Sequence, residues 1–326
     1  MKRVLITGVS GLIGSHLLDE LLKRNYRVVG IDNLKIGKLV NIRHNLKNRR
    51  FTFVKADILD LEAVKQIARG VDIIIHLAAS KKIDEKGDAF RTLRVNVEGT
   101  RNIFEAARKK RAKVIFASTS DVYGTSGELP FSEDGSLVIG PPTAKRWTYA
   151  VSKIYGEQLA FAYYKEHKVP VVVIRYFGGF SPRASFTWSG GHVPLFIDAV
   201  LNNRQVVIHG DGKQTRSMAY VDDLVRGTVL ALENPRAIGE IFNIGNDEEL
   251  SVIDTAHLIH KIANTKNRLK LKRTPHKRIF GTYRDVMRRV PDLEKSKRIL
   301  GYQAMVDLTE GIKRTIDHRK RLLKSE

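Results

Sequence analysis

The chain has 326 residues, of which 42% are apolar and 28% are charged, and it has no cysteine. This length and composition allow one large folded domain or two ordinary ones, and they exclude a disordered or collagen-like chain. Without cysteine, disulfide bridges, thiolate nucleophiles, zinc fingers and iron–sulfur clusters are excluded as well, and no metal site is predicted.

The formal net charge is +22, because 57 Lys and Arg residues stand against 35 Asp and Glu. Such a charge attracts nucleic acid, an acidic surface or an anionic substrate. Few aromatic residues are interleaved with the basic ones, so we favour a solvated basic surface and predict no specific nucleic-acid partner. The apolar runs are far shorter than the roughly 18 residues of a membrane span, and no signal cleavage site follows the first one. We therefore expect a cytoplasmic protein without a membrane partner.

Short apolar runs alternate with amphipathic stretches through the first half of the chain. The predicted strands are Arg3–Thr7, Arg27–Ile31, Phe51–Lys55, Asp72–His76, Lys113–Ala117 and Val169–Arg175. The predicted helices between them are Leu12–Lys23, Leu61–Arg69, Phe90–Lys110 and Tyr149–His167. This alternation predicts right-handed βαβ units in an α/β fold with a doubly wound parallel (Rossmann) sheet. The strands are almost continuously apolar, as expected when helices cover both faces of the sheet.

The alternation ends after Arg175, where the glycine-containing stretch 178–191 predicts a loop. The later predicted elements are helices over 193–201, 222–233, 252–263, 292–300 and 308–321 and strands over 205–209 and 240–244. We predict a first domain over residues 1–176 and a smaller, mixed C-terminal domain over 177–326, some segments of which can return to the sheet.

The turn after the first strand has the spacing of a dinucleotide site. Gly8, Gly11 and Gly14 follow the pattern G-x-x-G-x-x-G at the start of a helix. Glycines there allow a tight turn and a close approach of backbone to a pyrophosphate, whose charge lies on the N–H groups of the helix N-terminus. Asp32 ends the second strand, where a carboxylate holds the ribose hydroxyls and repels a 2′-phosphate. We therefore predict NAD rather than NADP; a tight turn with a capping aspartate is the alternative.

Two further strand ends belong to this predicted site. Asp57 follows the third strand and is predicted to accept a hydrogen bond from the adenine amine, with a helix N-cap as an equal alternative. The small residues Leu77, Ala78 and Ala79 follow the fourth strand. In a sheet of order 3-2-1-4-5-6, strands one and four flank the topological switch point, so these residues are expected to form a wall of the cofactor site.

Tyr149 and Lys153 are one helical turn apart and share a helix face. A nearby ammonium favours the ionised phenol, so the pKa of Tyr149 is expected to fall toward the range of a general base. The same ammonium can hydrogen-bond the nicotinamide ribose; accidental surface pairing is the alternative. Thr119 stands with Ser118 and Ser120 at the end of the fifth strand. Its hydroxyl is expected to contact a substrate oxygen, and a helix or turn cap is the alternative.

The motifs GVSGLIGS, IDN, HLAA, NVEGT, STSDVYG, YAVSK and RYF, with GDGKQTRSMAYVDDLVRG and IFNIGN after them, occur in this order. Over essentially the whole chain they resemble the extended short-chain dehydrogenase/reductase family of nucleotide-sugar-modifying enzymes. The resemblance implies an NAD-binding domain followed by a substrate-binding domain, and a nucleoside-diphosphate sugar as substrate. It also implies a homodimer through the helices near 90–110 and 147–167, with which the apolar residues Phe104, Ala107, Leu159 and Phe161 are compatible.

The resemblance also implies roles for single residues. Tyr149 is the expected base, Lys153 its electrostatic partner, and Thr119 the contact of the substrate hydroxyl. Arg216 and Arg289 are expected to hold the diphosphate, since guanidinium groups pair bidentately with phosphate, and Asp121 joins the substrate site. The expected cofactor contacts are Gly8, Gly11, Leu12, Ile13, Gly14, Asp32, Asn33, Asp57, Ile58, Leu77, Ala78, Ala79, Asn96, Ser118, Tyr149, Lys153 and Tyr176.

Enzymes of this group begin by removing the C4 hydroxyl proton and the C4 hydride, which leaves a 4-keto sugar. Return of the hydride to the other face gives a 4-epimerase, the least demanding outcome and the favoured one, with a UDP-sugar as substrate. The decarboxylase pattern S-T-S-E-V-Y-G differs here only by Asp121 in place of Glu, so a UDP-glucuronate decarboxylase is an alternative, which YRDVMRRVP around Arg289 supports. Ser120-Asp121 stands where dehydratases have Asp-Glu, which disfavours a 4,6-dehydratase. An NAD-binding regulator is the non-enzymatic alternative.

One segment departs from the family pattern. Family members usually follow R-Y-F with an Asn that contacts the sugar diphosphate, and this chain has Gly178 there. The loop that follows, with Phe186 and Trp188, also differs from the usual epimerase. The substrate is therefore expected to differ from UDP-glucose, unless a backbone N–H replaces the missing contact.

Overall fold

The first strand of the chain lies inside a seven-stranded parallel sheet. The computed structural model describes residues 1–81, 88–186, 191–275 and 285–324. In chain order the strands are β1 (Arg3–Thr7), β2 (Arg27–Asp32), β3 (Phe51–Lys55), β4 (Ile73–His76), β5 (Lys113–Thr119), β6 (Val171–Tyr176), β7 (Gly179–Phe180), β8 (Val206–His209), β9 (Thr215–Ser217), β10 (Ala219–Tyr220), β11 (Glu240–Ile244), β12 (Glu249–Ser251) and β13 (Leu271–Thr274). The order in the large sheet is β11-β6-β5-β4-β1-β2-β3, which confirms the predicted doubly wound α/β architecture.

The helices lie between these strands and after them. In chain order they are α1 (Leu12–Lys23), α2 (Leu61–Ile67), α3 (Ala89–Arg108), α4 (Thr148–His167), α5 (His192–Leu201), α6 (Val221–Glu233), α7 (Val252–Ala263), α8 (Glu294–Leu300) and α9 (Leu308–Leu323). Within the described ranges, none of them is long and apolar enough to cross a membrane.

Alternation along the central strands explains why both faces of the sheet are covered. In β1, Val4 and Ile6 pack in the core cluster that contains Leu17 of α1. Leu5 points the other way and packs in a second cluster with Phe104 of α3. All these side chains are fully buried, so the apolar runs read from the sequence correspond to strands between two helical layers. The carboxyl ends of the parallel strands are left at one edge, where such sheets bind ligands.

The seventh strand comes from the second half of the chain. β11 pairs in parallel with β6, with Ile241 opposite Val173 and Asn243 opposite Arg175. The sequence predicted a strand here and placed it in the second domain; the structure returns it to the large sheet. Pairing satisfies the backbone groups of an otherwise open edge and buries Phe242 and Ile244, which have no exposed surface.

The remaining elements form a smaller layer beside the carboxyl edge. It contains the two-stranded pairs β8–β13, β9–β12 and β7–β10 together with α5, α7 and α9. This agrees with the mixed C-terminal part predicted from the sequence. Trp188, in the unusual loop, lies outside the described residues.

Two of the residues suggested for a dimer face belong to the core. Phe104 and Ala107 are completely buried, and Phe104 stacks on Tyr163 of α4 with 5.1 Å between ring centres. Leu159 and Phe161 are partly buried against the same cluster. They face the sheet because α3 and α4 pack on each other and on β5, a choice of face that the sequence left open.

Candidate functional site

The candidate site is a cleft of about 730 Å³ at the carboxyl ends of β1, β4, β5 and β6. A smaller pocket of about 140 Å³ continues it past the end of β2. Among the described lining residues of the large cleft are the following predicted ones: Gly8, Gly11, Leu12, Ile13, Gly14, Leu77, Ala79, Ser118, Thr119, Tyr149, Lys153, Tyr176 and Arg289. Those of the smaller pocket include Asp32, Asn33, Ile58 and Ala78. The structure therefore brings most of the residues predicted for one site into two adjoining pockets, which share Gly8, Gly11, Leu77 and Ala79.

The glycine turn has no room for side chains. Gly8 has φ of +71°, and a Cβ on it would come within 3.0 Å of the backbone nitrogen of Ala78. A Cβ on Gly14 would lie 2.3 Å from the carbonyl oxygen of Gly8. Gly11 is the N-cap of α1 and provides no side chain over the first turn of the helix. The helix N-terminus is thus open to the cleft, which suits an anion such as a pyrophosphate.

Asp32 is placed as the sequence predicted for a ribose ligand. Its side chain is buried and accepts hydrogen bonds from the backbone N–H groups of Ser10 (3.1 Å) and Leu34 (2.8 Å). These two bonds fix the carboxylate between the glycine turn and the smaller pocket. Together with the open helix terminus, this donor and acceptor set fits a dinucleotide, with the pyrophosphate at Gly11 and a ribose at Asp32.

Asp57 is occupied by its own neighbours. It accepts hydrogen bonds from Asn33 (3.0 Å) and Lys35 (3.3 Å), and the backbone N–H of Leu59 donates to its other oxygen (3.1 Å). Burial opposes ionisation, but these donors hold the pKa of Asp57 below its usual value. The helix N-cap alternative is wrong, because Asp60 caps α2. The predicted adenine contact of Asp57 stays a prediction.

Tyr149 and Lys153 both line the cleft and are both buried. The ammonium of Lys153 donates to the carbonyl oxygen of Ala117 (2.7 Å) and lies 5.9 Å from the centre of the Tyr149 ring. Burial is the main reason that the pKa of Lys153 is lowered to about 7; Glu157 opposes this shift, and Lys81 adds to it.

The expected fall in the pKa of Tyr149 is wrong for the protein alone. Burial, and then the negative charge of Asp121, raise the pKa of this phenol above its ordinary value. The sequence indicates the lysine one turn away, but it does not indicate the desolvation of the ring or the carboxylate beside it.

Asp121 is the centre of a buried ion cluster. Its Oδ1 atom accepts from Arg146 (2.8 Å) and Arg289 (2.7 Å), and the ammonium of Lys81 lies 3.1 Å from Oδ2. Burial alone would raise the pKa of Asp121, but Lys81, Arg146 and Arg289 together hold it well below the usual range. Among the described residues, one carboxylate therefore pairs with three cations.

Sequence reasoning missed Lys81 and Arg146. Lys81 follows the HLAA motif, and Arg146 precedes Tyr149 by three residues. Their closeness to named motifs was the available signal. Their convergence on Asp121 depends on how β4, β5 and α4 meet in space, which a single sequence does not give.

Thr119 is the last residue of β5, and its hydroxyl faces Asp121. It accepts a hydrogen bond from the backbone N–H of Asp121 (3.2 Å), and a longer contact of 3.4 Å joins it to Oδ2 of the same residue. It caps the short turn after β5, which confirms the cap alternative. It also lines the cleft, and its contact with a substrate oxygen stays a prediction.

Three predicted cofactor contacts use their polar atoms elsewhere. The hydroxyl of Ser118 donates to Glu157, and the hydroxyl of Tyr176 pairs with Thr228 (2.6 Å). Asn96 binds both backbone groups of Ser80 and donates to the hydroxyl of Ser152 on α4 (2.9 Å). Ser118 and Tyr176 still line the cleft, whereas the side chain of Asn96 supports the cofactor region by fixing the segment after β4.

Arg216 and Arg289 have different side-chain partners. Arg216 donates to Asp285 (3.0 Å) and to the carbonyl oxygen of Val286 (2.8 Å), whereas Arg289 reaches Asp121 beside Tyr149. The prediction that both arginines hold the diphosphate stays a prediction. The position of Arg289 near Asp121 follows from the pairing of its segment with β9, where the N–H of Ser217 donates to the carbonyl oxygen of Arg289 (3.2 Å).

The space beside Gly178 is filled by a neighbour. A Cβ at this position would lie 2.6 Å from the sulfur of Met218 and 2.8 Å from the carbonyl oxygen of Ser217. The asparagine that family members usually have there would not fit without a shift of Met218. The departure seen in the sequence therefore leaves no open space at position 178.

Comparison with known proteins agrees with this geometry. The model of the NAD dependent epimerase/dehydratase family matches residues 4–245. UDP-N-acetyl-alpha-D-glucosaminuronate decarboxylase of Bacillus cytotoxicus is 37% identical over 319 residues, which are 97% of each chain. UDP-glucuronic acid decarboxylase 1 of Arabidopsis thaliana is 33% identical over 99% of this chain and 71% of its own.

Among solved structures, the UDP-glucuronic acid 4-epimerase of Bacillus cereus, in complex with UDP-glucuronic acid and NAD, superposes with a TM-score of 0.88 at 32% identity. The match covers 98% of this chain and 99% of that one. The family match, the relatives and the dinucleotide-shaped cleft lead to the same conclusion: this chain is a member of the NAD-dependent epimerase/dehydratase family of nucleotide-sugar enzymes.

Proposed function

We propose that this protein is an NAD-dependent decarboxylase of a UDP-hexuronic acid. The observation that carries the proposal is that Lys81 and Arg289 line the cleft beside Tyr149 and Thr119, and that both pair with the buried Asp121. Relatives that are named as decarboxylases of UDP-glucuronic acid and of its N-acetylated analogue support the same substrate class.

The cluster favours a sugar with a negative charge near the reacting carbon. Lys81 and Arg289 line the cleft, so a carboxylate of the substrate can accept charge-assisted hydrogen bonds from them. A neutral hexose offers no such charge. The cluster therefore points to a uronic acid rather than to glucose or galactose.

The residues of the cleft provide the steps of C4 oxidation. Tyr149 takes the proton of the C4 hydroxyl, Thr119 hydrogen-bonds the same oxygen, and Lys153 fixes the orientation of the dinucleotide ribose. Bound NAD supplies the redox chemistry, since it accepts the C4 hydride and later returns it.

Decarboxylation follows from the chemistry of the oxidised sugar. A ketone at C4 lies β to the C6 carboxylate, so the C5–C6 bond can break with loss of CO₂ while its electron pair enters a C4–C5 enolate. Water protonates C5, and Tyr149 returns its proton to the C4 oxygen as the hydride returns to C4, which gives a UDP-pentose. Asp121 stays ionised because its pKa is held low, so it positions cations and does not act as an acid. An acid is what elimination of water would need, which weighs against a 4,6-dehydratase.

A UDP-hexuronate 4-epimerase is the second candidate. It is favoured by the similarity to a 4-epimerase that was solved with UDP-glucuronic acid, and by Asp121 being one methylene shorter than the glutamate usual in decarboxylases. Both candidates share the substrate class and C4 oxidation, and they differ only in the fate of the carboxylate.

One experiment separates these outcomes. The purified protein is incubated with NAD⁺ and, in parallel, UDP-glucuronic acid, UDP-N-acetylglucosaminuronic acid or UDP-glucose; products are identified by NMR, and CO₂ is measured. We expect CO₂ and a UDP-pentose from a uronic acid and no conversion of UDP-glucose. An epimerised uronic acid without CO₂ would establish the second candidate. Turnover of UDP-glucose alone would overturn the assignment of a uronic acid.

For the assembly we propose a homodimer through α3 and α4, as the family resemblance implies. The supporting observation is a set of exposed apolar side chains on the outer faces of these two helices. They are Phe90, Leu93, Val151 and Tyr155.

A further inference from the structure

We propose that Lys81 binds the carboxylate of the substrate and selects uronic acids over neutral sugars. This inference rests on the proposed function, since it names the residue that recognises the C6 carboxylate. Lys81 lies two residues after the small residues that wall the cofactor site, so it reaches the cleft from the switch-point side of the sheet.

The two oxygens of Asp121 have different partners. Oδ1 accepts from both guanidinium groups, Arg146 at 2.8 Å and Arg289 at 2.7 Å, and is therefore fixed from two sides. Oδ2 has Lys81 at 3.1 Å and the hydroxyl of Thr119 at 3.4 Å, a longer and weaker contact. Lys81 can therefore leave Oδ2 while Asp121 keeps two strong ion pairs.

Exposure separates the three cations. The side chain of Lys81 is 39% exposed, whereas those of Arg146 and Arg289 are 7% and 12% exposed. Moving a partly exposed ammonium on a flexible stem costs less than moving a buried guanidinium, because more of its surface is already hydrated. Lys81 is thus the member of the cluster that can turn toward an incoming anion.

The place of Lys81 suits the C6 carboxylate. Its ammonium lies 5.1 Å from the centre of the Tyr149 ring, and both residues line the same cleft. A sugar whose C4 hydroxyl meets Tyr149 carries its carboxylate carbon two bonds from C4. The carboxylate is then held close to the cluster, where it can replace Oδ2 of Asp121 as the partner of Lys81. Asp121 acts as an internal substitute for the substrate carboxylate.

The test is binding of two ligands that differ only at C6. The affinities of UDP-glucuronic acid and UDP-glucose are measured by calorimetry with NAD⁺ at saturation, in a Tyr149→Phe background that prevents turnover. We expect Lys81→Met to weaken UDP-glucuronic acid about tenfold, the equivalent of one charge-assisted hydrogen bond to a partly exposed group. Affinity for UDP-glucose should stay unchanged, and Lys81→Arg should restore most of the loss.

Lys65→Met is the matched control. It removes the same charge from a surface pair with Glu62 on α2, so any effect of net charge on anion binding appears in both variants. Equal weakening of both ligands by Lys81→Met would show that Lys81 serves the dinucleotide or Tyr149 and would overturn the inference. A preference for UDP-glucuronic acid that survives in Lys81→Met would overturn it while the proposed function stands. No preference in the parent protein would overturn both.

Discussion

Tyr149 keeps its proton in the protein alone, although cations surround it. Burial removes the water that would stabilise a phenolate, and the carboxylate of Asp121 adds a repulsive charge, so the pKa of the phenol rises. The side chain of Lys153, whose own pKa is lowered to about 7, donates to a backbone carbonyl and not to the phenol. The lower pKa that Tyr149 needs as a general base therefore has to come from charges on the bound ligands.

The first prediction concerns this phenol. Tyr149→Phe should lower turnover by about 10²- to 10⁴-fold, the usual contribution of a positioned proton-transfer group. Binding of NAD and of UDP-glucuronic acid should change little, because the ring and its packing remain. Steady-state kinetics and calorimetry measure the two effects. Tyr155→Phe is the control on the same helix, since that residue is 38% exposed and faces outward. Full turnover in Tyr149→Phe would remove Tyr149 from the role of base.

The second prediction concerns the cost of burying Lys153. Its pKa is about 7 in the folded protein and 10.5 as an ordinary lysine, so the unfolded chain binds the proton more strongly. The charged form therefore destabilises the fold below pH 7, and this cost shrinks as the pH rises from 7 toward 10.5. Lys153→Met should raise Tm at pH 6, by about 2–4 °C per kcal/mol of cost removed, and less at pH 9.

Thermal unfolding at both pH values, without ligands, measures this difference. Lys168→Met is the control, because that lysine lies just beyond α4 and is exposed. A lower Tm in Lys153→Met at pH 6 would contradict the prediction. A gain of the same size at both pH values would show that better packing, and not the removed charge, is the cause.

At the scale of elements, the site depends on the junction of β5 with α4. Asp121 follows β5 and Arg146 precedes α4, and their ion pair of 2.8 Å ties the end of the strand to the first turn of the helix. A second buried pair joins α4 to the neighbouring strand β6, where Arg175 donates to Glu157 (2.8 Å). These two ties hold Tyr149 at a fixed distance from Thr119.

The third prediction concerns the junction of β1 with α1. Gly14→Ala should weaken NAD binding about 10- to 100-fold, since its Cβ would lie 2.3 Å from the carbonyl oxygen of Gly8 and overpacking costs about 1–3 kcal/mol. Gly127→Ala is the matched control, because nothing lies within 4 Å of the Cβ it would add. Titration with NAD and a thermal melt separate lost binding from lost folding. Unchanged NAD affinity in Gly14→Ala would contradict the placement of the dinucleotide.

Periodicity predicted the central elements well because strands such as β1 and β4 are almost entirely apolar and helices such as α1 and α7 have one apolar face. The bounds of β1, β3, β11, α1 and α7 agree with the predicted ones, and the ends of β5 and β6 extend by one or two residues into the site. Periodicity does not indicate which other strand a given strand pairs with in the sheet. β11 looks like any other short strand in the sequence, and only the open edge of β6 explains why it joins the large sheet.

The sequence predicted single residues of the site, but it did not predict the ion pairs and pKa shifts among them. Gly8, Asp32, Thr119, Tyr149 and Lys153 lie where the motifs placed them, because motif spacing is set by local geometry. The partners of Asp121 come from segments up to 168 residues away in the chain, as Arg289 does. Long-range ion pairs and burial leave no local pattern, so the cluster and the raised pKa of Tyr149 had to come from the structure.

At the scale of the whole molecule, the final prediction concerns the dimer. Val151 is 45% exposed on α4 and lies two residues from Tyr149, so it faces away from the cleft and toward the outer surface shared with α3. Val151→Glu would place a charge in the proposed dimer interface and should weaken association by about 30-fold or more, the cost of a lost hot spot. Light scattering over a range of protein concentrations measures this shift. Val207→Glu, at a valine that is 37% exposed on β8, adds the same charge elsewhere and should leave the dimer intact. A parent protein that is monomeric at every concentration, or two variants that behave alike, would refute an interface formed by α3 and α4.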